Sequence, residues 1–182
     1  MKIVIIISLI SFTFKSYTQT FSLKSNQLGG QATIDQLFDG FGCKGKNLSP
    51  DLYWVNPPKE TKSFAVTIYD EDAPSGSGWW HWLIFNISPE INELKEGAGN
   101  ISLGLSPIGS IQSLTDFASS GYSGPCPPVG SNYHRYVITV YALKKNKLDL
   151  DRNANPALVG YMLEQNVIEK ASIIFYSKGQ VP

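Results

Sequence analysis

Short hydrophobic stretches recur along the chain, and glycine, proline and polar residues separate them. Four of these stretches are typical of β-strands: residues 52–55, 63–69, 82–87 and 136–143. In the second stretch, Phe64, Val66 and Ile68 alternate with Ala65, Thr67 and Tyr69, whereas the fourth is nearly continuous, as in a central strand. The pattern predicts a mainly β fold, either a β-sandwich or a similar packing of sheets.

One helix is indicated towards the end of the chain. Asn155 suits an N-cap and Pro156 suits the first helical position. Long side chains then follow at three- and four-residue spacing: Leu158, Tyr161, Met162 and Gln165. We predict a helix from Pro156 to about Lys170, followed by a closing strand at 171–177.

The first residues resemble an export signal. Lys2 gives a basic start, residues 3–14 are nearly all apolar, and Ser16 to Thr18 offer a cleavage site. We predict cleavage after Thr18, which leaves residues 19–182 as a single domain in a periplasmic or secreted protein. A membrane anchor is the weaker alternative, because a spanning helix needs roughly 20 apolar residues.

Composition limits the classes of function. With 182 residues, of which 42% are hydrophobic and 16% charged, the chain suits one domain with a substantial core. Basic and acidic residues balance at 15 each. The chain therefore has no excess of positive charge that would favour nucleic acid or another polyanion as a partner.

The chain has two cysteines, Cys43 and Cys126. Disulfides persist in oxidising compartments, so the predicted export favours a bond between them. Two separate buried thiols remain the alternative, because free cysteine is a frequent core residue.

The only two histidines lie in the segments richest in chemically active residues. In the first segment, a strand ends at Asp70, the chain turns through 71–78, and an aromatic strand begins with Trp79 and His81. This order places Asp70 and His81 at the same end of two neighbouring strands. The sequence therefore predicts one wall of a site here.

The second segment is a glycine- and proline-rich loop at 121–130, followed by His134, Arg135 and Tyr136. The ring of proline restricts the backbone, and proline has no N–H group to donate. This loop can therefore form a rigid, largely apolar wall. It belongs to a long irregular stretch, 97–130, and connections of that length commonly serve function or are pinned. Together the two segments predict a single two-walled site.

Two enzymatic readings of these residues stay open. Asp70, His81 and His134 could supply three zinc ligands, although the spacing typical of metal motifs is absent. A hydrolase could use Ser123 with His134 and Asp70, although the Gly-x-Ser-x-Gly elbow is missing.

Four blocks of sequence carry a family resemblance: 42–50 with Trp54, 70–82, 115–117 with 121–122, and 124–136. In these blocks the chain resembles the phosphatidylethanolamine-binding protein (PEBP) family, in its bacterial and archaeal branch of Raf-kinase-inhibitor-like proteins. The resemblance implies an antiparallel β-sandwich-like fold with a C-terminal helix and long pocket-forming loops.

The resemblance also implies a non-enzymatic binding protein without metal or cofactor. Its small, preformed pocket would take phosphate-like anionic groups, either a phosphomonoester or a phospholipid head group. Carried onto this chain, the ligand-binding residues are Asp70, Trp79, His81, Cys126, Pro127, His134 and Tyr136. Asp72 would support the turn, and Glu71 departs from the family's Asp-Pro-Asp-Ala-Pro pattern by adding a charge beside the pocket. An exported module that inhibits a protease or another protein partner is an alternative, and a homodimer is a further expectation.

A phosphate bound beside Asp70 must share a proton with the site, because two negative charges repel. We expect a monoanion whose P–OH group donates to Asp70 while His81 or His134 donates to other oxygens. Such a site selects phosphomonoesters over sulfate, and it binds more tightly as the pH falls from about 8 to 6.

Overall fold

The computed structural model describes residues 19–179, in which antiparallel β-strands provide most of the regular structure. The strands of this part of the chain are β1 (Ser22–Lys24), β2 (Asp39–Gly40), β3 (Cys43–Lys44), β4 (Leu52–Val55), β5 (Ser63–Asp70), β6 (Trp79–Ile87), β7 (Glu93–Leu94), β8 (Ile111–Gln112), β9 (His134–Leu143) and β10 (Val167–Ser177). A single α-helix, α1 (Pro156–Asn166), and a 3-10 turn at Ile101–Leu103 complete the described elements.

A five-stranded sheet forms the centre of the fold. Its strand order is β10-β9-β5-β6-β8, and every neighbouring pair is antiparallel. A smaller sheet has the order β1-β4-β7, and β2 and β3 form a separate hairpin. The fold is thus mainly antiparallel β with one C-terminal helix, as predicted.

Each face of the large sheet carries its own hydrophobic core. One face packs against the small sheet, and its largest fully buried side chains include Trp54, Phe64, Trp82, Tyr136 and Phe175. The other face packs against α1 through a second cluster: Ala65, Leu83, Phe85, Leu143, Val159 and Leu163. Because both faces are covered, the central strands are apolar on both sides, which explains the nearly continuous run in β9.

The predicted strands match the observed ones, and three of them are longer than predicted at the same end of the sheet. The first, 52–55, has the observed bounds of β4. The others gain Asp70 at the end of β5, 79–81 at the start of β6, and 134–135 at the start of β9. These additional residues join the sheet because Asp70 lies opposite Trp79 on one side and Tyr136 on the other.

The helix ends earlier than predicted. Asn155 caps it and Pro156 begins it, but it stops at Asn166 instead of continuing to Lys170. The backbone N–H of Lys144 donates to the carbonyl of Asn166, and from Val167 onwards the chain pairs with β9. The β-branched Val167 and Ile168 suit this strand better than a further helical turn.

The face of the helix that packs on the sheet is also different from the expected one. Leu158 and Tyr161 are 46% and 60% exposed, whereas Val159 and Leu163 are fully buried. The buried stripe is therefore shifted by one residue from the predicted spacing. Pro156 and Asn166 complete it at the two ends of the helix.

Cys43 and Cys126 form a disulfide bond that spans 83 residues of sequence, which confirms the predicted pairing. It connects the β2–β3 hairpin to the proline-rich segment that precedes β9. The predicted export signal, residues 1–18, lies outside the described residues. Within 19–179, no helix is long and apolar enough to cross a membrane.

Candidate functional site

The end of β5 places Asp70 between two neighbouring strands. Its partners across the sheet are Trp79 at the start of β6 and Tyr136 near the start of β9. Since both neighbours are antiparallel to β5, the starts of β6 and β9 lie beside the end of β5, at one end of the sheet. Asp70, His81 and His134 are all buried at this end.

His81 occupies a β-bulge in β6. Ile68 pairs with Trp82 and Tyr69 pairs with Trp80, so His81 has no partner of its own on β5. As a result, Trp82 lies in the core under the small sheet while Trp80 packs on the side of the helix. Bulges redirect side chains next to functional sites, and this one turns the His81 ring towards Tyr136, with ring centroids 5.1 Å apart.

A cavity of about 330 Å³ opens at this end of the sheet. Its lining contains all seven residues predicted from the resemblance, namely Asp70, Trp79, His81, Cys126, Pro127, His134 and Tyr136. The lining also includes residues that were not predicted: Phe41, Ala73, Pro74, Ser75, Phe117 and Pro128. The structure thus brings the predicted set together at one cavity, and its role in binding stays a prediction.

Asp70 and His134 form a buried pair on the floor of the cavity. Nδ1 of His134 lies 2.8 Å from Oδ2 of Asp70 and donates its proton to the carboxylate. The other carboxylate oxygen accepts the backbone N–H of Asp72 at 2.9 Å. With Nδ1 engaged, Nε2 is the nitrogen of His134 that remains for a ligand.

His81 is held in its neutral form by its surroundings. Burial lowers the pKa of its ring to about 4, although a hydrogen bond to the Ser123 carbonyl acts in the opposite direction. In that bond, Nδ1–H donates to the carbonyl oxygen of Ser123 at 2.6 Å. Nε2 therefore carries a lone pair and has no hydrogen-bond partner among the described residues. In this state Nε2 of His81 can accept a hydrogen bond but cannot donate one, so of the two histidines expected to donate, only His134 can do so.

Tyr136 supplies a neutral hydroxyl beside the pair. Burial, together with the nearby Asp70 carboxylate, raises the pKa of Tyr136 well above its usual value, so the hydroxyl keeps its proton. Its ring stacks on Phe175 at a centroid distance of 5.1 Å. This packing holds the Tyr136 ring in place at the floor of the cavity.

The proline wall is fixed from behind by the segment that leads to the disulfide. The N–H of Gly124 donates to the side chain of Asn47 at 2.7 Å, and Phe38 donates its N–H to the carbonyl of Pro125. A side chain at Gly124 would collide with the backbone of Gln36, so only glycine fits this contact. These contacts hold the backbone of the wall against the segment around Cys43.

Three aromatic side chains form the rim of the cavity, and we call this group the aromatic rim: Phe41, Trp79 and Phe117. The rings of Trp79 and Phe117 meet nearly at right angles, 87°, with centroids 5.6 Å apart. Phe41 lies almost parallel to Phe117, at 13° and 5.9 Å, and is 81% exposed. Phe117 also contacts the His81 ring, with centroids 5.2 Å apart, so the aromatic rim adjoins the histidine.

Sequence reasoning missed Phe41 for an identifiable reason. It lies at the tip of the β2–β3 hairpin in the left-handed region, with φ of 51°. The Cys43–Cys126 disulfide brings that hairpin to the proline wall. The predicted cysteine pairing was the one signal that pointed to a residue near Cys43 as part of the site.

The acidic turn is arranged as expected for Asp72. Its carboxylate accepts from the side chain of Arg135 at 2.9 and 3.1 Å and from the Arg135 backbone N–H at 2.8 Å. The hydrogen bonds from Arg135 lower the pKa of Asp72. Glu71 lies 3.5 Å from the same guanidinium and is not part of the cavity lining. Arg135 thus offsets the added charge that distinguishes this chain from the family pattern.

The two enzymatic arrangements are not assembled in the described residues. Ser123 contacts His81 through its backbone, and no hydrogen bond joins its hydroxyl to His134. It also lines a separate depression rather than the cavity. Within residues 19–179, no group of three or more His, Cys, Asp or Glu side chains is placed to hold a metal ion.

The antiparallel sheet with two cores, the C-terminal helix and the cavity at one end agree with the fold that the family resemblance implies. The family model for phosphatidylethanolamine-binding protein matches residues 24–178, which is most of the chain. The chain belongs to the phosphatidylethanolamine-binding protein family.

Individual relatives agree with this assignment. The UPF0098 protein YbcL of Escherichia coli is 45% identical over 176 residues, covering 95% of this chain and 96% of YbcL. The UPF0098 protein YbhB of the same organism is 43% identical, covering 83% and 96%. The crystal structure of E. coli YbcL, described as a new member of the mammalian PEBP family, superposes with a TM-score of 0.86 over 88% of this chain and 99% of that chain.

Proposed function

We propose that the protein binds the phosphate group of a small ligand in the cavity at the end of β5, without catalysing its conversion. The observation that carries this proposal is the arrangement of Asp70, His134 and His81 on the cavity floor. Family membership supports a binding role. The hydrogen-bond arrangement supports phosphate as the group that is bound.

The proton balance of the floor favours a monoanion. Asp70 is a buried acid, and a second negative charge beside it requires a proton between the two. His134 can meet this need by donating from Nδ1 to Asp70 and from Nε2 to a phosphate oxygen. Tyr136 can donate a further hydrogen bond from its hydroxyl.

The neutral His81 ring favours a phosphomonoester over a diester or sulfate. Its Nε2 is an acceptor, so the ligand must supply a donor. A phosphomonoester carries a P–OH group when it is a monoanion, whereas a phospholipid diester and sulfate carry none near neutral pH. Between the two ligand classes implied by the resemblance, this site therefore favours the phosphomonoester.

Calorimetric titration of the purified protein tests the proposal. We expect phosphoethanolamine to bind at a pH of about 6, below or near the second phosphate pKa, and sulfate to bind much more weakly. His134→Asn should weaken phosphoethanolamine binding by about tenfold or more, because a lost charge-assisted hydrogen bond is worth roughly 1.5–3 kcal/mol. Tyr161→Leu, on the exposed face of α1, is the matched control. No binding of any phosphomonoester, or equal binding of sulfate, would reject the proposal.

We further propose that this binding takes place outside the cytoplasm. The Cys43–Cys126 disulfide supports this location, because disulfides persist in oxidising compartments. Cell fractionation of the full-length chain and of a form that lacks residues 1–18 provides the test. Retention of both forms in the cytoplasm would contradict export.

A further inference from the structure

The cavity is larger than a phosphate group requires. Its volume of about 330 Å³ lies at the lower end of the range for small-molecule sites, roughly 300–1,000 Å³. The phosphate-binding groups Asp70, His81 and His134 are all buried on the floor. The remaining space lies towards the opening, where the aromatic rim and the prolines form the walls.

The charges that line this space favour a positive group. No lysine or arginine is part of the described lining, and Asp70 is its only carboxylate. Phe41, which is 81% exposed, adds an aromatic surface that favours a cation, because an aromatic ring attracts cations over its face. A ligand with an anionic end on the floor and a cationic end at the opening would match both regions.

The geometry of the aromatic rim suits a cation without N–H groups. Trp79 and Phe117 meet at 87° and so form a corner with two ring planes. Phe41 extends the Phe117 side, parallel to it at 5.9 Å. Rings arranged as walls are a common means of recognising quaternary ammonium groups. A primary ammonium is strongly hydrated and seeks oxygen acceptors, and the three side chains of the rim offer none.

We propose that the aromatic rim binds a quaternary ammonium group and that the preferred ligand is a phosphocholine-type zwitterion. The inference rests on the proposed phosphate site, since the floor holds the other end of the ligand. Phe117 contacts both the His81 ring, at 5.2 Å, and Trp79. When the phosphate lies at His81, the ammonium group, which two carbons separate from the phosphate oxygen, therefore lies against the aromatic rim.

Titrations with phosphocholine, phosphoethanolamine and inorganic phosphate under the same conditions test the inference. We expect phosphocholine to bind about fivefold or more tightly than phosphoethanolamine, which is within the range of cation–π interactions. Phe41→Leu should remove most of this preference and lower phosphocholine affinity several-fold more than phosphate affinity. Phe41→Tyr, which keeps an aromatic face, should retain the preference. Tyr161→Leu removes another exposed aromatic residue, 60% against 81% for Phe41, that lies outside the cavity, and it should change neither affinity.

The possible results separate the two proposals. Equal affinity for phosphocholine and phosphoethanolamine, or a preference that survives Phe41→Leu, would overturn the rim assignment and leave the phosphate site intact. Failure of all three ligands to bind would overturn both. Phosphatidylcholine vesicles distinguish the source of the ligand: we expect free phosphocholine to bind and the vesicles not to bind, because their phosphodiester has no P–OH group, whereas binding of vesicles alone would contradict the inference.

Discussion

His81 and Ser123 are joined by two hydrogen bonds that run in opposite directions. The ring Nδ1–H of His81 donates to the carbonyl of Ser123 at 2.6 Å, and the backbone N–H of Ser123 donates to the carbonyl of His81 at 3.0 Å. The first bond selects the ring tautomer with a free Nε2. The second satisfies a backbone carbonyl in the β-bulge, where the strand offers His81 no partner on β5.

The pKa of His81 predicts a loss of stability in mild acid. Burial lowers this pKa to about 4 in the folded protein, whereas an unfolded histidine titrates near 6.5. Above that value neither state carries the proton. As the pH falls from about 6.5 to 4, the unfolded chain takes up a proton that the folded protein does not, so the free energy of unfolding decreases. The total decrease due to His81 is about 3 kcal/mol.

Denaturant unfolding of the wild type and of His81→Gln across this pH range measures the effect. The difference between the two curves isolates His81 from the carboxylates, including Asp72, whose lowered pKa also reduces stability at lower pH. We expect the variant to lose less stability between about pH 6.5 and 4. Parallel curves for the two proteins would show that the ring is not buried in its neutral form.

Ligand affinity should increase as the pH falls from about 8 to 6. His81 keeps its neutral form throughout this window, because its pKa is about 4. The protonation of the ligand does change in this window: with a second phosphate pKa near 6, the monoanion with its P–OH group rises from about 1% to about half of the total. Apparent affinity for phosphoethanolamine should therefore rise by up to about fiftyfold in calorimetry, and a constant affinity would argue against the P–OH contact.

Removal of the disulfide should weaken both the fold and the site. Closing a loop of 83 residues of sequence separation stabilises a protein by roughly 4 kcal/mol in the chain-entropy description. The double variant Cys43→Ser/Cys126→Ser should therefore unfold at a lower temperature. Because the bond also holds the Phe41 hairpin at the proline wall, ligand affinity should decrease even where the variant is fully folded. Unchanged thermal unfolding on addition of a reductant would contradict this prediction.

Ser123→Ala separates binding from hydrolysis. Only backbone atoms of Ser123 contact His81, so the variant should bind phosphoethanolamine as the wild type does. Any esterase activity of the wild type should persist in the variant at the same level. Loss of such activity in Ser123→Ala, with binding retained, would reinstate the hydrolase reading.

The sequence determines much of the fold in a predictable way. Alternation in β5 and the continuous run in β9 reflect burial on one or both faces, so the central strands were predicted close to their observed bounds. The helix end was not predicted, because pairing of Val167 with Leu143 depends on a strand that is distant in sequence.

Prediction of the site had a similar limit. Strand order predicted that Asp70 and His81 lie at the same end of neighbouring strands, and the family resemblance supplied the rest of the predicted set, including His134 and Tyr136. The tautomer of His81 depends on the Ser123 carbonyl, 42 residues away, and on a bulge that no local pattern indicates. Phe41 joins the aromatic rim through a disulfide and a left-handed backbone conformation, and neither follows from hydrophobic periodicity.

The bulge at His81 gives one inserted residue two separate tasks. A β6 shortened by this residue could continue its ladder with β5, but it would lose both hydrogen bonds to Ser123 and the ring contact with Tyr136. The interruption of the ladder is thus exchanged for a connection between the sheet and the loop that leads to the proline wall. A deletion of His81 would therefore be expected to loosen that loop as well as alter the floor of the cavity.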